Sequence, residues 1–205
     1  MKDKVRKTYG GNSRSILQKL YPGLLDRIDS LMELGKPINI AIDGNSGAGK
    51  STLANILGGI YDANIFHMDD FFLTPDLRTE ERLREVGGNV DYVRFKREVI
   101  EGLITGQEFR YRPYNCQTMA LEEYVTVVPR QLNIIEGVYS MHPTLIGYYD
   151  LKIFLSIDSE RQSRRILERN GPLMYKRFTD EWIPMEDEYF EKMGIPGKCD
   201  MVFKV

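Results

Sequence analysis

A chain of 205 residues with 28 basic and 30 acidic side chains has room for one domain and an appendage, and it lacks the positive field that nucleic acid or an anionic membrane surface would require. No apolar run approaches the roughly 18 to 20 residues needed to cross a bilayer. Cys116 and Cys199 stand far apart without CxxC spacing, which argues against a disulfide scaffold or zinc site and fits a reducing cytoplasm.

The chain opens on the basic stretch MKDKVRKTYGG, with no apolar segment behind it, so it does not read as a secretory signal. Acids at Asp3 and Asp26 speak against a mitochondrial presequence. Between positions 13 and 34, Ile16, Leu17, Leu20, Leu24, Leu25, Ile28, Leu31 and Met32 recur at helical spacing, broken at Pro22 and stopped at Gly35. Residues 1–36 are expected to form a helical N-terminal extension, and residues 37–205 the main domain.

From Pro37 the pattern alternates. INIAID reads as a buried strand, KSTLANILGGIY as a helix and ANIF as a second strand. VDYVRFKREVIEGLITG reads as a helix ending at Gly106, and EEYVTVV, LNIIEG and DLKIFLSID as strands. SERQSRRILERNG is a basic helix with Asn170, Gly171 and Pro172 as stop signals. TDEWIPMEDEYFEKM is a Pro-interrupted helical segment with Trp182 in the core, and DMVFKV a closing strand. The expected fold is α/β, with a mostly parallel central sheet, helices on both faces, and ligands at the carboxyl ends of the strands.

GNSGAGKS, Gly44 to Ser51, fits G-x-x-x-x-G-K-[ST] between a buried strand and an amphipathic helix. Gly44, Gly47 and Gly49 let backbone N–H groups approach phosphate oxygens, with Asn45, Ser46 and Ala48 completing the loop and Thr52 following it. The helix N-terminus adds its dipole, Lys50 a mobile charge between β- and γ-phosphates, and Ser51 a hydroxyl ligand for Mg²⁺. ATP and Mg²⁺ are therefore the expected cofactors. No N-K-x-D motif reads guanine, and no L-S-G-G-Q-like segment marks an ABC-type ATPase. What remains is a compact kinase acting on a small molecule.

IFHMDDFF places Asp69 and Asp70 just past the second strand. In extended chain the two carboxylates would face opposite ways, so one could orient an acceptor hydroxyl and take its proton while the other capped the next turn. Glu136, after LNII, emerges at another strand end and could hold Mg²⁺ with Ser51, or could be a plain surface acid. His67 and His142 read as structural residues. Arg161, Arg165 and Arg169 form a stripe at i, i+4 and i+8, either a lid over triphosphate or a solvated face paired with Glu160 and Glu168.

GNSGAGKST, HMDDFF and NIIEGVYS together resemble the P-loop kinase superfamily of uridine kinase, phosphoribulokinase and bacterial pantothenate kinase, with uridine and nicotinamide riboside kinases nearest. The likeness runs from about Pro37 to the C-terminus, including IPGKCDMVF. It implies a P-loop NTPase fold with a helical lid at about 158–172, Asp69 as catalytic base, Glu136 on Mg²⁺, and Arg161 and Arg165 on the nucleotide. It also implies Asp91 on sugar hydroxyls, where the bare reading is a helix N-cap, and Tyr114 in the acceptor pocket; Arg112 and Arg169 are further candidates to contact the acceptor. Asn115 replaces the usual Asp after Tyr114, and the histidine expected within CQTMALEE is absent.

The expectation is thus an ATP- and Mg²⁺-dependent small-molecule kinase, cytoplasmic, compatible with a homo-oligomer, whose acceptor is a nucleoside or related riboside. The alternatives are a pantothenate- or sugar-type acceptor, or a nucleotide-binding regulator without transfer.

Overall fold

The computed structural model describes residues 12–205; the basic segment at the N-terminus lies outside them. Two short helices come first, α1 (Asn12–Leu20) and α2 (Leu24–Met32), separated at Pro22 and at Gly23, whose φ is 77°. They bury Leu17, Leu24, Leu25 and Ile28 in the same core cluster as Ile38, Ile40 and Leu53 of the sheet and its first crossover helix. Tyr61 donates to Asp29 at 2.6 Å, and Gln131 donates to the Met32 carbonyl at 2.6 Å, fastening this pair of helices at two further points. Truncating Leu25, 1% exposed, to alanine is expected to cost about 2–5 kcal/mol of global stability in chemical denaturation. A loss below about 1 kcal/mol would mean that these helices fold apart from the sheet.

The elements that follow are β1 (Ile38–Gly44), α3 (Lys50–Tyr61) and β2 (Asn64–His67), then α4 (Glu80–Arg84) and α5 (Tyr92–Phe95). α5 runs through a π-helical turn, Lys96–Ile100, into α6 (Glu101–Thr105), which Gly106 ends at φ 65°. Short strands β3 (Phe109–Tyr111), β4 (Tyr114–Asn115), β5 (Ala120–Leu121) and β6 (Val125–Val127) precede β7 (Leu132–Glu136) and β8 (Leu151–Ser156). The chain closes with α7 (Ser159–Arg177), α8 (Ile183–Lys192) and β9 (Met201–Lys204).

The central sheet has five strands in the order β2-β7-β1-β8-β9, all parallel. Alternate residues serve its two faces. Ile40, Ile134 and Ile153 pack toward α1–α3, whereas Ala41, Ile135 and Phe154 pack toward α5, α6 and α8. This is the α/β architecture expected from buried apolar strands alternating with helices.

EEYVTVV does not join this sheet. Its Val125–Val127 pairs antiparallel with Phe109–Tyr111 in a separate ribbon. Thr126 is exposed between the more buried Val125 and Val127, a one-sided pattern, whereas Leu132–Glu136 is buried throughout as a central parallel strand must be. The stop signals of the basic helix also act differently from expectation. Gly171 leaves helical geometry at φ 74° and ψ 172°, but the helix resumes beyond Pro172, so the chain bends there rather than ending.

Candidate active site at the carboxyl edge of the sheet

One row of the sheet sets the site. Glu136 at the end of β7 is in register with Ile42 of β1 on one side and His67 of β2 on the other. The glycine-rich loop leaves β1 just beyond this row, and Asp69 follows β2 just beyond it. β1 and β2 are not immediate neighbours: β7 lies between them and carries Glu136 into the gap.

The loop has the backbone that its glycines permit, with φ of 136° at Gly44, 78° at Gly47 and 94° at Gly49. A Cβ on Gly44 would sit 2.0 Å from the Leu155 carbonyl of the neighbouring strand, so only glycine fits between β1 and β8 there. The Lys50 ammonium, 8% exposed, donates to the Gly44 carbonyl at 2.7 Å and to Asn45 at 3.0 Å. Ala48 is buried, while Ser51 and Thr52 are exposed on the first turn of α3. Ser46 differs from its expected role in the cradle, because Glu186 of α8 accepts from its N–H at 2.9 Å and from its hydroxyl.

Asp69 and Asp70 lie in a 3-10 turn, Met68–Phe71, not in extended chain, so the alternation argument does not describe them. Met68 and Phe71, three residues apart and both fully buried, wind this turn onto the core. Asp69 keeps an exposed surface, while the protein packed around its carboxyl partly desolvates it. That desolvation and then Glu136 push the carboxyl above the ordinary value, while Lys50, His67 and Arg169 pull it back. The carboxylate of Asp70 makes no capping bond to this turn; its carbonyl accepts from Arg94 at 3.0 Å.

His67, read from the sequence as structural, stands beside Glu136. Its Nδ1 lies 2.5 Å from Glu136 Oε1, a hydrogen bond that is the leading cause raising the imidazole above its ordinary value. His142 is structural as read: its ring stacks on Tyr92 at 3.9 Å, and burial pushes it down to about 4. Asp43, fully buried before the loop, accepts from Gly44 N–H at 2.7 Å, Met141 N–H at 3.1 Å and Tyr189 Oη at 2.9 Å. Burial raises it to about 6, and Lys50 opposes the rise.

Asp91 caps α5, its Oδ1 accepting from the Arg94 N–H at 2.9 Å, the plainer of its two readings. The Arg112 guanidinium is spent on the carbonyls of Glu122 at 2.7 Å and Leu121 at 3.1 Å, so it braces the β4–β5 hairpin. Tyr114, 3% exposed on that hairpin, buries a hydroxyl with no partner among the described residues. On α7, Arg165 donates to the Gly47 carbonyl at 3.1 Å, and Arg169 lies close enough to Asp69 to influence it. Arg161 instead pairs with Asp158 at 3.4 Å on the open surface at the start of the helix. Trp182 is half-buried, edge-on to Phe178 at 4.5 Å and covered by Arg177.

The donor set fits a triphosphate with a hard cation. Loop amides and Lys50 suit phosphate oxygens, and Ser51 with Glu136 supplies the oxygen ligands that Mg²⁺ prefers. Among the described residues no group of three or more His, Cys, Asp or Glu side chains could hold a metal ion by itself.

No family model matches the chain. A solved structure described as a possible uridine kinase from Bacillus stearothermophilus is similar to it with TM-score 0.63 and 23% identity, over 88% of this chain and 98% of that one. A candidate fructose transport system kinase from Silicibacter sp. TM1040 is similar with TM-score 0.64 and 19% identity, over 96% and 98%. At these identities the likeness establishes the architecture: this chain has the α/β P-loop fold of those two proteins.

Proposed function

We infer that the protein is a kinase that moves the γ-phosphate of ATP onto a hydroxyl of a small metabolite, a nucleoside or related riboside. The observation that carries the reading is the convergence at one sheet edge of a phosphate loop, Glu136 and an accessible carboxylate, Asp69. A pure nucleotide binder would have no need of the last. In this reading Asp69 orients the acceptor O–H and takes its proton as the new O–P bond forms and the bond to the β-phosphate oxygen breaks, leaving ADP. Lys50 and the loop amides hold the phosphates in line, and Ser51 and Glu136 would hold Mg²⁺, which when bound would neutralise phosphate charge. Arg165 and Arg169 approach from α7 to close over the reacting group. The Tyr114 hydroxyl, without a partner among the described residues, is suited to an acceptor's polar atom, since leaving it orphaned costs about 1–3 kcal/mol.

The missing histidine in CQTMALEE turns the reading away from uridine or cytidine in particular, and the likeness to a candidate fructose transport system kinase keeps sugar acceptors in view. The test is a coupled ADP-release screen over nucleosides, nicotinamide riboside, pantothenate and sugars. A riboside should raise ADP release well above the no-acceptor rate. If no acceptor does so while ATP still binds, the regulatory reading replaces this one.

A further inference from the structure

The transfer proposed above assigns Glu186 no part, yet this residue is 4% exposed and bonds the phosphate loop. Its two carboxylate oxygens take the N–H and the hydroxyl of Ser46. The third polar group of that residue, its carbonyl, accepts from Gln162 Nε2 of α7 at 3.1 Å. One residue on, Arg165 bonds the Gly47 carbonyl, and a Cβ at Gly47 would lie 3.4 Å from Ile166. Residues 46 and 47 are therefore gripped between two helices that follow them by more than a hundred positions in sequence.

The grip is backed by the packing of α8 into the core. Three residues beyond Glu186, Tyr189 donates to Asp43 at 2.9 Å and packs on Tyr139 at 4.8 Å between ring centres. Phe190 meets Phe154 of β8 edge-on at 5.0 Å. A carboxylate on a helix seated this firmly is a fixed strut, not a plug that swings aside. A loop with glycines at φ 78° and 94° has much backbone freedom to lose when a ligand orders it. Holding one peptide of the loop in place beforehand reduces that loss and so tightens binding.

We propose that Glu186 is a positioning residue that presets the phosphate loop through Ser46, making nucleotide affinity depend on a side chain that does not touch the nucleotide. This rests on the nucleotide-binding half of the reading above and not on transfer. The probe is Mg-ATP binding by calorimetry, alongside thermal melting, for the wild type, Glu186→Ala, Glu186→Gln, Ser46→Ala and the alanine pair. Glu186→Ala should weaken binding about tenfold or more, equivalent to about 1.4 kcal/mol. Glu186→Gln should recover most of this, because its amide oxygen still accepts from the Ser46 N–H. Ser46→Ala should weaken binding in the wild type yet add little to Glu186→Ala, since the two act through one contact.

Binding by Glu186→Ala within about twofold of wild type, or tighter than wild type as for a competing anion, overturns the proposal. So does an equal loss in Glu186→Gln, or strictly additive losses in the pair. If alanine at 186 prevents folding, Ser46→Ala decides: weaker binding at an unchanged melting temperature supports the strut, and unchanged binding refutes it. A wild-type protein that fails to bind Mg-ATP would instead defeat the functional reading itself.

Discussion

Asp69→Asn is expected to lower acceptor-dependent ADP release by about 10²- to 10⁴-fold while leaving Mg-ATP binding close to wild type. At about 1.4 kcal/mol per decade, that is roughly 3–5 kcal/mol of transition-state stabilisation. The amide has the carboxylate's shape and can still accept a hydrogen bond, but it cannot take the acceptor's proton. Asp69 has the right setting for the task, reachable by solvent yet surrounded by protein, with burial and Glu136 raising its carboxyl and Lys50 opposing them. Its acidic limb should therefore lie above that of an ordinary aspartate, with the rate rising as pH climbs through it and Asp69 ionises. Asp70→Asn serves as the comparison. The polar tie there is the carbonyl bond from Arg94, which the substitution keeps, so a much smaller loss is expected. Equal losses at the two positions, or turnover retained by Asp69→Asn, would remove the proposed base.

Lys50→Ala is expected to abolish detectable turnover, with kcat/KM down by at least about 10²- to 10³-fold, the loss seen when one preorganised donor to developing charge is removed. Its effect should spread beyond one contact. The ammonium satisfies the Gly44 and Asn45 carbonyls and lowers the carboxyls of Asp43, Asp69 and Glu186 against the burial that raises them. Removing it leaves three acids around the loop without that cation and two carbonyls without their donor. Lys50→Arg should rescue poorly, because a planar guanidinium does not reproduce a compact ammonium in a space 8% exposed. Nucleotide affinity and the acidic limb of the rate profile should both move in the alanine variant. Turnover within tenfold of wild type would contradict the assigned role.

The loop was legible in the sequence because its conformation is a demand on residue type. A left-handed backbone and a Cβ-free contact with Leu155 select glycine, and the spacing to Lys50 and Ser51 follows from the strand-to-helix turn. The strands of the central sheet were legible for a similar reason, as continuous apolar runs. Their order was not, since nothing local in ANIF or LNII says that β7 separates β2 from β1. The turn holding Asp69 and Asp70 left a signal that alternation obscured, the three-residue spacing of Met68 and Phe71. The contact of His67 with Glu136 was not legible, because that partner lies across the sheet and in no motif with it. Glu186 lies 140 residues from Ser46, and its only local sign is an acid on the buried side of α8, beside Tyr189 and Phe190.

The central claim is that an anion-binding loop and a proton acceptor meet at one phosphorus across the carboxyl ends of β1, β7 and β2. The most direct measurement is a crystal structure with Mg²⁺ and a non-hydrolysable ATP analogue. The account predicts the β- and γ-phosphates on the amides between Gly47 and Ser51, and the Asp69 carboxylate facing the γ-phosphorus from the side opposite the leaving oxygen. Phosphates bound elsewhere, or an Asp69 side chain turned away beyond the reach of an acceptor hydroxyl, would contradict it.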